Sequence, residues 1–473
     1  MADVPVALPR VCIIGAGSSG IVAAKTFHER GIPFDCFEKS DQVGGNWVFK
    51  NKNGLSSAYR SLHINTSKTK MAYSDFPMPR DYPDYPHHTQ IAKYFSDYVD
   101  HFGIRDCITF NTGVAHAVLD EERTWHVTLE TGEHREYDAL VVANGHHWDA
   151  RWPEPPLPGK FDGYELHSHD YIDPTEPFAM RGKRVVIVGM GNSALDIACE
   201  LGRKDMCEAV YLSTRRGYWV MPRYFGGHVL DFPLPHPAKD PPLWQLMMPR
   251  WMIMRGMQAL ISFTLGRPQD FGLPKPDHPF GGSHPAISQD FYNRIGSGDV
   301  IPKPAIDHFE GREVVFADGS KVEADVVIYC TGYRISFPFF DRAFFSTTDN
   351  DVALWRRILD PNIRNLFFVG LLQPLCAVMP LAEQQAKLIA AYLKGKYALP
   401  GFAEMEAERL HEHEAEKAHF VKSARHTIEV DCIHYTYDLR RELKRGMSRA
   451  AFIGRPLPVP ARAPAVLRPM AAE

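Results

Sequence analysis

The chain has 473 residues, of which 45% are hydrophobic, and a formal net charge of −4 at pH 7. This length accommodates two or three domains with well-buried cores, and the nearly balanced charge argues against a nucleic-acid partner. The eight cysteines form no C-x-x-C pair and no cluster with histidine, which predicts a reduced protein without a metal site.

Targeting segments are not recognisable in the sequence. Met1 to Arg10 lacks the basic start and the apolar run of a signal peptide. No stretch of about twenty uncharged apolar residues is present, so we predict no transmembrane helix and a cytoplasmic location.

The first predicted element is a nucleotide-binding turn in VCIIGAGSSG, residues 11–20. Its opening residues are apolar, as in a parallel strand buried on both faces. The G-x-G-x-x-G pattern that follows allows a tight turn, a close approach to a pyrophosphate and close helix packing. A helix over about 18–30 and a strand over 34–37 come next, and that strand ends in Glu38, where a carboxylate can hold ribose hydroxyls. This order predicts an FAD or NAD site.

A second copy of the signal occurs in VVIVGMGNSA, residues 185–194, with Ala194 in place of the third glycine. Its next strand, residues 209–212, ends in Ser213-Thr214-Arg215-Arg216 instead of an acid. A guanidinium and a hydroxyl bind a 2′-phosphate that a carboxylate would repel, so this site favours NADP. The alternative interpretation of Arg215 and Arg216 is a solvated surface pair.

The two units predict an α/β fold with two Rossmann-like dinucleotide-binding domains, the second inserted into the first. The proline-rich stretch RWPEPPLPGKFDG from Arg151 is typical of a linker, and VEADVVIYCTGY from Val322 is a buried strand at which we expect the chain to return to the first domain. We assign residues 1–165 and 325–455 to the first domain, 166–324 to the second, and 456–473 to a loosely ordered tail.

A Met-rich segment lies within the second domain, at residues 243–266, where Pro249, Arg250 and Arg255 interrupt an apolar run. One interpretation is a buried helix or a dimer contact. The other is a weak membrane-surface contact or a path for substrate access.

Between the two units, FDGYELHSHDY places Phe161, Gly163, His167 and Tyr171 at a spacing that resembles the fingerprint of class B flavin-containing monooxygenases. Further segments are similar to that family in the family's order, across about residues 10–400: VGGNWVF at 43–49, SLHINTSKTKMAYSDFPMP at 61–79, STRRGYWV at 213–220 and GLLQP at 370–374.

The resemblance implies FAD in the first site and NADPH, held as NADP⁺ after hydride transfer, in the second. Reduced FAD would react with O₂ to give a C4a-hydroperoxyflavin, which oxygenates a soft nitrogen or sulfur atom of a small amine or sulfide. This is the reaction of the dimethylaniline and trimethylamine monooxygenase type. We also expect a homodimer. The sequence leaves open whether the substrate is a tertiary amine, a thioether, indole or a ketone.

The resemblance also assigns roles to individual residues. Those expected to hold FAD are Gly15, Ala16, Gly17, Ser18, Ser19, Gly20, Glu38, Gly45, Asn46, Trp47, Thr66 and Gln373. Those expected to hold NADP are Gly189, Gly191, Asn192, Ser193, Ser213 and Arg215, with Tyr171 either in contact with NADP or packing the linker. Asn65 is the predicted catalytic residue; its alternative roles are a cap for the following helix or a formal glycosylation acceptor, which a cytoplasmic protein would not use.

Other activities remain as alternatives. A Baeyer–Villiger monooxygenase shares both cofactors, although that branch tends to place Trp where Tyr171 stands. A related disulfide reductase needs a redox cysteine pair beside the flavin, and no C-x-x-C is present. A flavin-bound NADPH oxidase or redox sensor would use the same two sites without oxygenating a substrate.

Overall fold

The computed structural model describes residues 7–242, 245, 247–345, 347, 350–419, 428–453 and 455–457. Apart from Pro456 and Leu457, the tail predicted at 456–473 lies outside the described residues. Two five-stranded parallel sheets organise the chain, which confirms the predicted α/β fold.

The first sheet contains the first glycine motif. Its spatial strand order is Leu366–Phe368, Ala139–Val142, Val11–Ile14, Phe34–Phe37 and Ile108–Thr109. Helices Ser18–Glu29, His88–His101 and Val378–Leu393 contribute to the core on one face. The strands Val11–Ile14 and Ala139–Val142 are buried throughout, because neighbouring layers cover both faces of the sheet. The helix and strand predicted after the first motif are confirmed within one residue.

The second sheet contains the second motif, in the order Tyr164–His167, Val326–Tyr329, Arg184–Val188, Ala209–Ser213 and Ile301–Lys303. Helices Asn192–Leu201 and Phe291–Gly296 pack on it. The divisions at residues 165 and 325 gave the start of strand Tyr164–His167 and the whole of strand Val326–Tyr329 to the first domain. Both assignments are wrong, because Val326–Tyr329 pairs with Tyr164–His167 on one side and with Arg184–Val188 on the other, so both strands belong to the second sheet. An all-apolar strand pattern carries no information about which sheet the strand joins.

The chain crosses between the two sheets twice, and the crossings lie side by side. Strands Asp149–Ala150 and Tyr333–Arg334 form an antiparallel pair at this point. The second sheet is built from segments between these crossings, so the second nucleotide unit is inserted into the first.

Smaller sheets complete the fold. They are Val114–Leu119 with Trp125–Leu129 and His134–Tyr137; Gly159–Phe161 with Ile306–Gly311, Glu313–Phe316 and Lys321–Glu323; Val220–Met221 with Ala286–Ile287; and Tyr224–Phe225 with His228–Val229. Short helices are Gly45–Trp47, Lys68–Met71, Arg105–Cys107 and Pro268–Phe271.

The Met-rich segment forms the helix Arg250–Thr264. Trp251 is 60% exposed and Phe263 is 90% exposed, so the buried-helix interpretation is wrong for this face, while Ile261 on another face is buried. Among the residues that the structure describes, none of the helices combines the length and the hydrophobicity that a membrane span needs.

The C-terminal part returns to the first domain through helices Phe402–His419 and Cys432–Ile453. Strand Glu429–Val430 pairs with Gln373–Pro374, and a disulfide joins Cys376 to Cys432. The prediction that the cysteines are all reduced is wrong at this pair. The two cysteines are 56 residues apart in the sequence, so their contact cannot be recognised from a short C-x-x-C spacing.

Candidate functional site

A cavity of about 620 Å³ lies between the two nucleotide units. Most of the predicted site residues line it: Gly15, Gly17, Ser18, Ser19, Glu38, Gly45, Asn46, Trp47, Asn65, Thr66, Gly191, Asn192, Ser193 and Gln373. Both glycine-rich turns therefore open into one space, as hydride transfer between two bound cofactors requires. Ala16, Gly20, Tyr171, Gly189, Ser213 and Arg215 are not part of the lining.

The first turn depends on glycine for steric reasons. Gly15 has φ +98°, and a Cβ on it would lie 2.8 Å from the carbonyl oxygen of Ala143. A Cβ on Gly20 would lie 1.8 Å from the carbonyl oxygen of Gly15. Gly17 is the N-cap of helix Ser18–Glu29 and supplies no side-chain cap, so the first N–H groups of the helix stay available to an anion. This cradle fits the pyrophosphate of a dinucleotide.

Glu38 closes the first site with a buried carboxylate that is only 5% exposed. It accepts hydrogen bonds from the backbone N–H groups of Ala16, at 2.7 Å, and Ser40, at 2.8 Å. Burial raises the pKa of Glu38, and the two N–H bonds oppose that rise. Ala16 thus orients the acid, whose remaining lone pairs can accept ribose hydroxyls.

The second turn repeats this geometry. Gly189 has φ +126°, and a Cβ on it would lie 2.6 Å from the carbonyl oxygen of Cys330. Gly191 is the N-cap of helix Asn192–Leu201, again without a side-chain cap. The Asn192 side chain accepts a 2.8 Å hydrogen bond from the Ile287 N–H, which fixes the loop beside the helix start. This turn also fits an anionic group.

The two arginines after the second unit differ in their partners. Arg216 forms an ion pair of 2.8 Å with Asp277. Arg215 is exposed and has no ion-pair partner among the residues that the structure describes. Ser213 is buried and its hydroxyl donates to the Pro304 carbonyl at 2.8 Å. Arg215 is therefore the guanidinium that remains available to a phosphate.

Asn65 lies in the cavity wall beside Thr66, half-buried, and within the described chain its side chain makes no hydrogen bond. The alternative role as a helix cap is wrong, because the N-cap of helix Lys68–Met71 is Ser67. The Asn65 amide is thus free to bond a group inside the cavity.

His167 and Tyr171 of the linker lie outside the cavity lining. Tyr171 is fully buried, and its hydroxyl donates to Glu200 at 2.9 Å. His167 is also fully buried, where burial lowers its pKa to about 4, so it is neutral at pH 7. Both side chains pack the linker against the second domain.

Several lining residues escaped the sequence analysis, among them Tyr59, Asp196, His284, Cys376 and Ile428. Asp196 follows Asn192 by one helical turn, so the helical period was a usable signal for it. The others reach the cavity from distant parts of the chain, where no local pattern identifies them.

The family described as FMO-like, flavin-binding monooxygenase-like, matches residues 8–448. Flavin-containing monooxygenase 5 from Oryctolagus cuniculus is 36% identical over 438 residues, covering 90% of this chain and 80% of the relative. Dimethylaniline monooxygenase [N-oxide-forming] 2 from the same species is 31% identical over 449 residues, covering 92% and 82%.

Solved structures show the same architecture. S-allyl-L-cysteine S-oxygenase from Allium sativum superposes with a TM-score of 0.67 and 25% identity, covering 94% of this chain and 89% of that one. An open structure of cyclohexanone monooxygenase gives a TM-score of 0.68 at 18% identity, covering 93% and 98%, which shows a shared fold.

Proposed function

The chain belongs to the flavin-binding monooxygenase-like family, whose members use FAD and NADPH, and on this basis we propose that it transfers one oxygen atom of O₂ to a soft nitrogen or sulfur atom of a small molecule. The observation that carries the proposal is that two helix N-termini without side-chain caps and the Asn65 side chain share one cavity. The first N-terminus would hold FAD and the second NADPH.

Bound FAD supplies the chemistry with O₂, and the chain supplies position and shielding. The turn at Gly15–Gly20 holds a pyrophosphate by its backbone N–H groups, and Glu38 accepts from ribose hydroxyls. Trp47 and Gln373 line the cavity and would enclose the flavin there. A wall of this kind keeps water away from the reacting atoms.

On the NADPH side, Gly191 and Ser193 offer the helix N-terminus, and Arg215 offers a guanidinium to the 2′-phosphate. The Asn65 amide would donate a hydrogen bond at the reacting edge and orient the nicotinamide. The assignments of Gly191, Ser193 and Asn65 rest on the cavity lining and, for Asn65, on the absence of a competing partner in the described chain. The assignment of Arg215, which lies outside the lining, rests on its exposure and on the absence of an ion-pair partner among the described residues.

Two relatives whose names state a product or a substrate support the proposed substrate class. One is named for N-oxide formation at 31% identity, and another oxygenates the sulfur of S-allyl-L-cysteine at 25%. The cyclohexanone enzyme, at 18%, shares only the fold. Oxygenation of amine nitrogen or thioether sulfur is therefore the first candidate, and Baeyer–Villiger oxygenation is the second.

The test is an NADPH-oxidation assay with a tertiary aryl amine, an aryl methyl thioether, indole and a cyclic ketone under ¹⁸O₂. We expect labelled N-oxide or sulfoxide and stoichiometric NADPH use. A labelled lactone from the ketone alone would establish the Baeyer–Villiger alternative. NADPH consumption that yields only hydrogen peroxide with every compound would instead show an oxidase or sensor.

We propose further that the exposed face of helix Arg250–Thr264 contacts a membrane surface weakly or forms the contact of a homodimer. Trp251 and Phe263 supply a large apolar area there. The cytoplasmic location stays a prediction.

A further inference from the structure

Two tyrosine–carboxylate pairs attach one face of the nucleotide-binding helix Asn192–Leu201 to its surroundings. The Tyr59 hydroxyl donates a 2.5 Å hydrogen bond to Asp196, and the Tyr171 hydroxyl donates one of 2.9 Å to Glu200. Asp196 and Glu200 are one helical turn apart and share a face. The two tyrosine rings pack edge to face, with centroids 6.4 Å apart. The helix is thereby joined to both the first domain and the linker.

Only the first of these pairs faces the cavity. Tyr59 and Asp196 line it, whereas Tyr171 and Glu200 do not. Asp196 also lies one turn after Asn192, in the N-terminal half of the helix that would hold the NADP pyrophosphate. The Tyr59–Asp196 bond is thus a contact between the two domains inside the site itself.

Tyr59 begins the stretch of wall that ends at Asn65 and Thr66. Leu62, His63 and Ile64 line the cavity between them. The Leu62 N–H donates to the Tyr59 carbonyl at 3.0 Å, and the Ile64 N–H donates to the Pro86 carbonyl at 3.1 Å. The first bond lies within the stretch and the second ties it to Pro86. Because Tyr59 and Asn65 are joined by this short, bonded stretch, a displacement of Tyr59 also displaces Asn65.

We propose that Asp196 is a positioning residue for oxygenation. By accepting the hydrogen bond from the Tyr59 hydroxyl, it fixes the position of the cavity wall from Tyr59 to Asn65 relative to the NADP-binding helix. This inference rests on the proposed function. Nucleotide binding at the helix start and the orientation of Asn65 are then coupled through one hydrogen bond between the domains.

The electrostatic surroundings give this bond a pH dependence. Burial raises the pKa of Asp196 to about 6, the Tyr59 hydrogen bond and the Arg223 charge oppose the rise, and Glu200 adds to it. The other titratable groups at this contact are Cys199 on the same helix and Cys330 near Tyr59. An ionised carboxylate is the stronger acceptor, so the Tyr59 bond weakens as the pH falls through about 6.

The experiment measures product formed per NADPH consumed, together with hydrogen peroxide, for Tyr59→Phe, Asp196→Asn and the double variant. With FAD retained, we expect Tyr59→Phe to lower the product yield about 10-fold, as the loss of one hydrogen bond to a charged group implies. Asp196→Asn should lower it less, because the amide oxygen still accepts the bond but carries no charge. The double variant should be no worse than Tyr59→Phe alone, because without the Tyr59 hydroxyl there is no bond left for the change at Asp196 to weaken. The parent should lose yield below about pH 6, and Asp196→Asn should not show this dependence.

Tyr329→Phe is the matched control, because it removes a hydroxyl that donates to the Glu165 carboxylate within the second domain, outside the cavity lining. It should keep the parent yield. Additive losses in the double variant, or unchanged yields in both single variants, would overturn the inference while leaving the proposed function intact. If Asp196→Asn does not fold, the yield of Tyr59→Phe decides. A parent that forms no oxygenated product refutes the proposed function instead.

Discussion

The two glycine-rich turns have nearly the same backbone and different chemical endings. In both, a glycine with positive φ follows a buried strand and an uncapped helix begins at the cavity. The first unit ends in Glu38, which is buried and held by two backbone N–H groups. The second ends in Arg215, which is exposed and unpaired among the described residues. We expect each turn to bind the anionic part of a nucleotide, and the residue at the end of the following strand to determine which nucleotide is bound.

The largest difference between the two turns is expected at the third glycine position of the motif, which is Gly20 in the first unit and Ala194 in the second. Gly20→Ala should abolish FAD binding and destabilise the fold by more than about 3 kcal/mol, because the new Cβ would meet the Gly15 carbonyl oxygen at 1.8 Å. Ala194→Gly in the second unit should cost only about 1 kcal/mol, since a Cβ is already accommodated there. Flavin absorbance and thermal unfolding measure both. A yellow, stable Gly20→Ala protein would show that the first turn can relax.

Between the two turns, Asn65 tests whether the shared cavity is a reaction site. Asn65→Ala should keep FAD but lower the rate of product formation about 100- to 1,000-fold, the usual cost of one oriented donor. Product analysis and a peroxide assay give the result. Ser67→Ala is the control, because it alters the true N-cap of helix Lys68–Met71 next to Asn65. Full activity of Asn65→Ala would remove the assigned role.

Arg215 and Arg216, which follow the strand of the second unit, provide a test of how that strand ending selects the nucleotide. We expect the parent to prefer NADPH over NADH by about 10- to 1,000-fold in kcat/KM, from one or two charge-assisted hydrogen bonds. Arg215→Ala should remove most of that preference. Arg216→Ala should change it little, because Arg216 is already paired with Asp277. Equal use of both coenzymes by the parent contradicts the assignment.

The smallest effect is expected at the exposed helix of the second domain. Phe263→Glu should reduce sedimentation with lipid vesicles several-fold without lowering the thermal unfolding temperature, since Phe263 is 90% exposed. Size-exclusion chromatography of the same variant tests the dimer contact. If the parent neither sediments with vesicles nor dimerises, neither role of this helix stands.

Local sequence determined a large part of the fold and of the site. The glycine turns, the helix starts, the strand Phe34–Phe37 and the acid after it follow from steric limits on backbone angles and from the apolar pattern of buried strands. These constraints act within a few residues, so one sequence suffices to predict them. Most predicted site residues accordingly line one cavity.

Contacts between distant segments were decided only by the tertiary structure. The sheet to which Val326–Tyr329 belongs, the Cys376–Cys432 disulfide and the bond from Tyr59 to Asp196 each join residues that no local pattern links. The exposure of Phe263 has the same origin, because an apolar helix is buried or exposed according to what packs against it. Local steric limits define the helices, strands and turns of this protein. Which side chains are buried, and which distant residues pair with one another, depends on the tertiary packing of the whole chain.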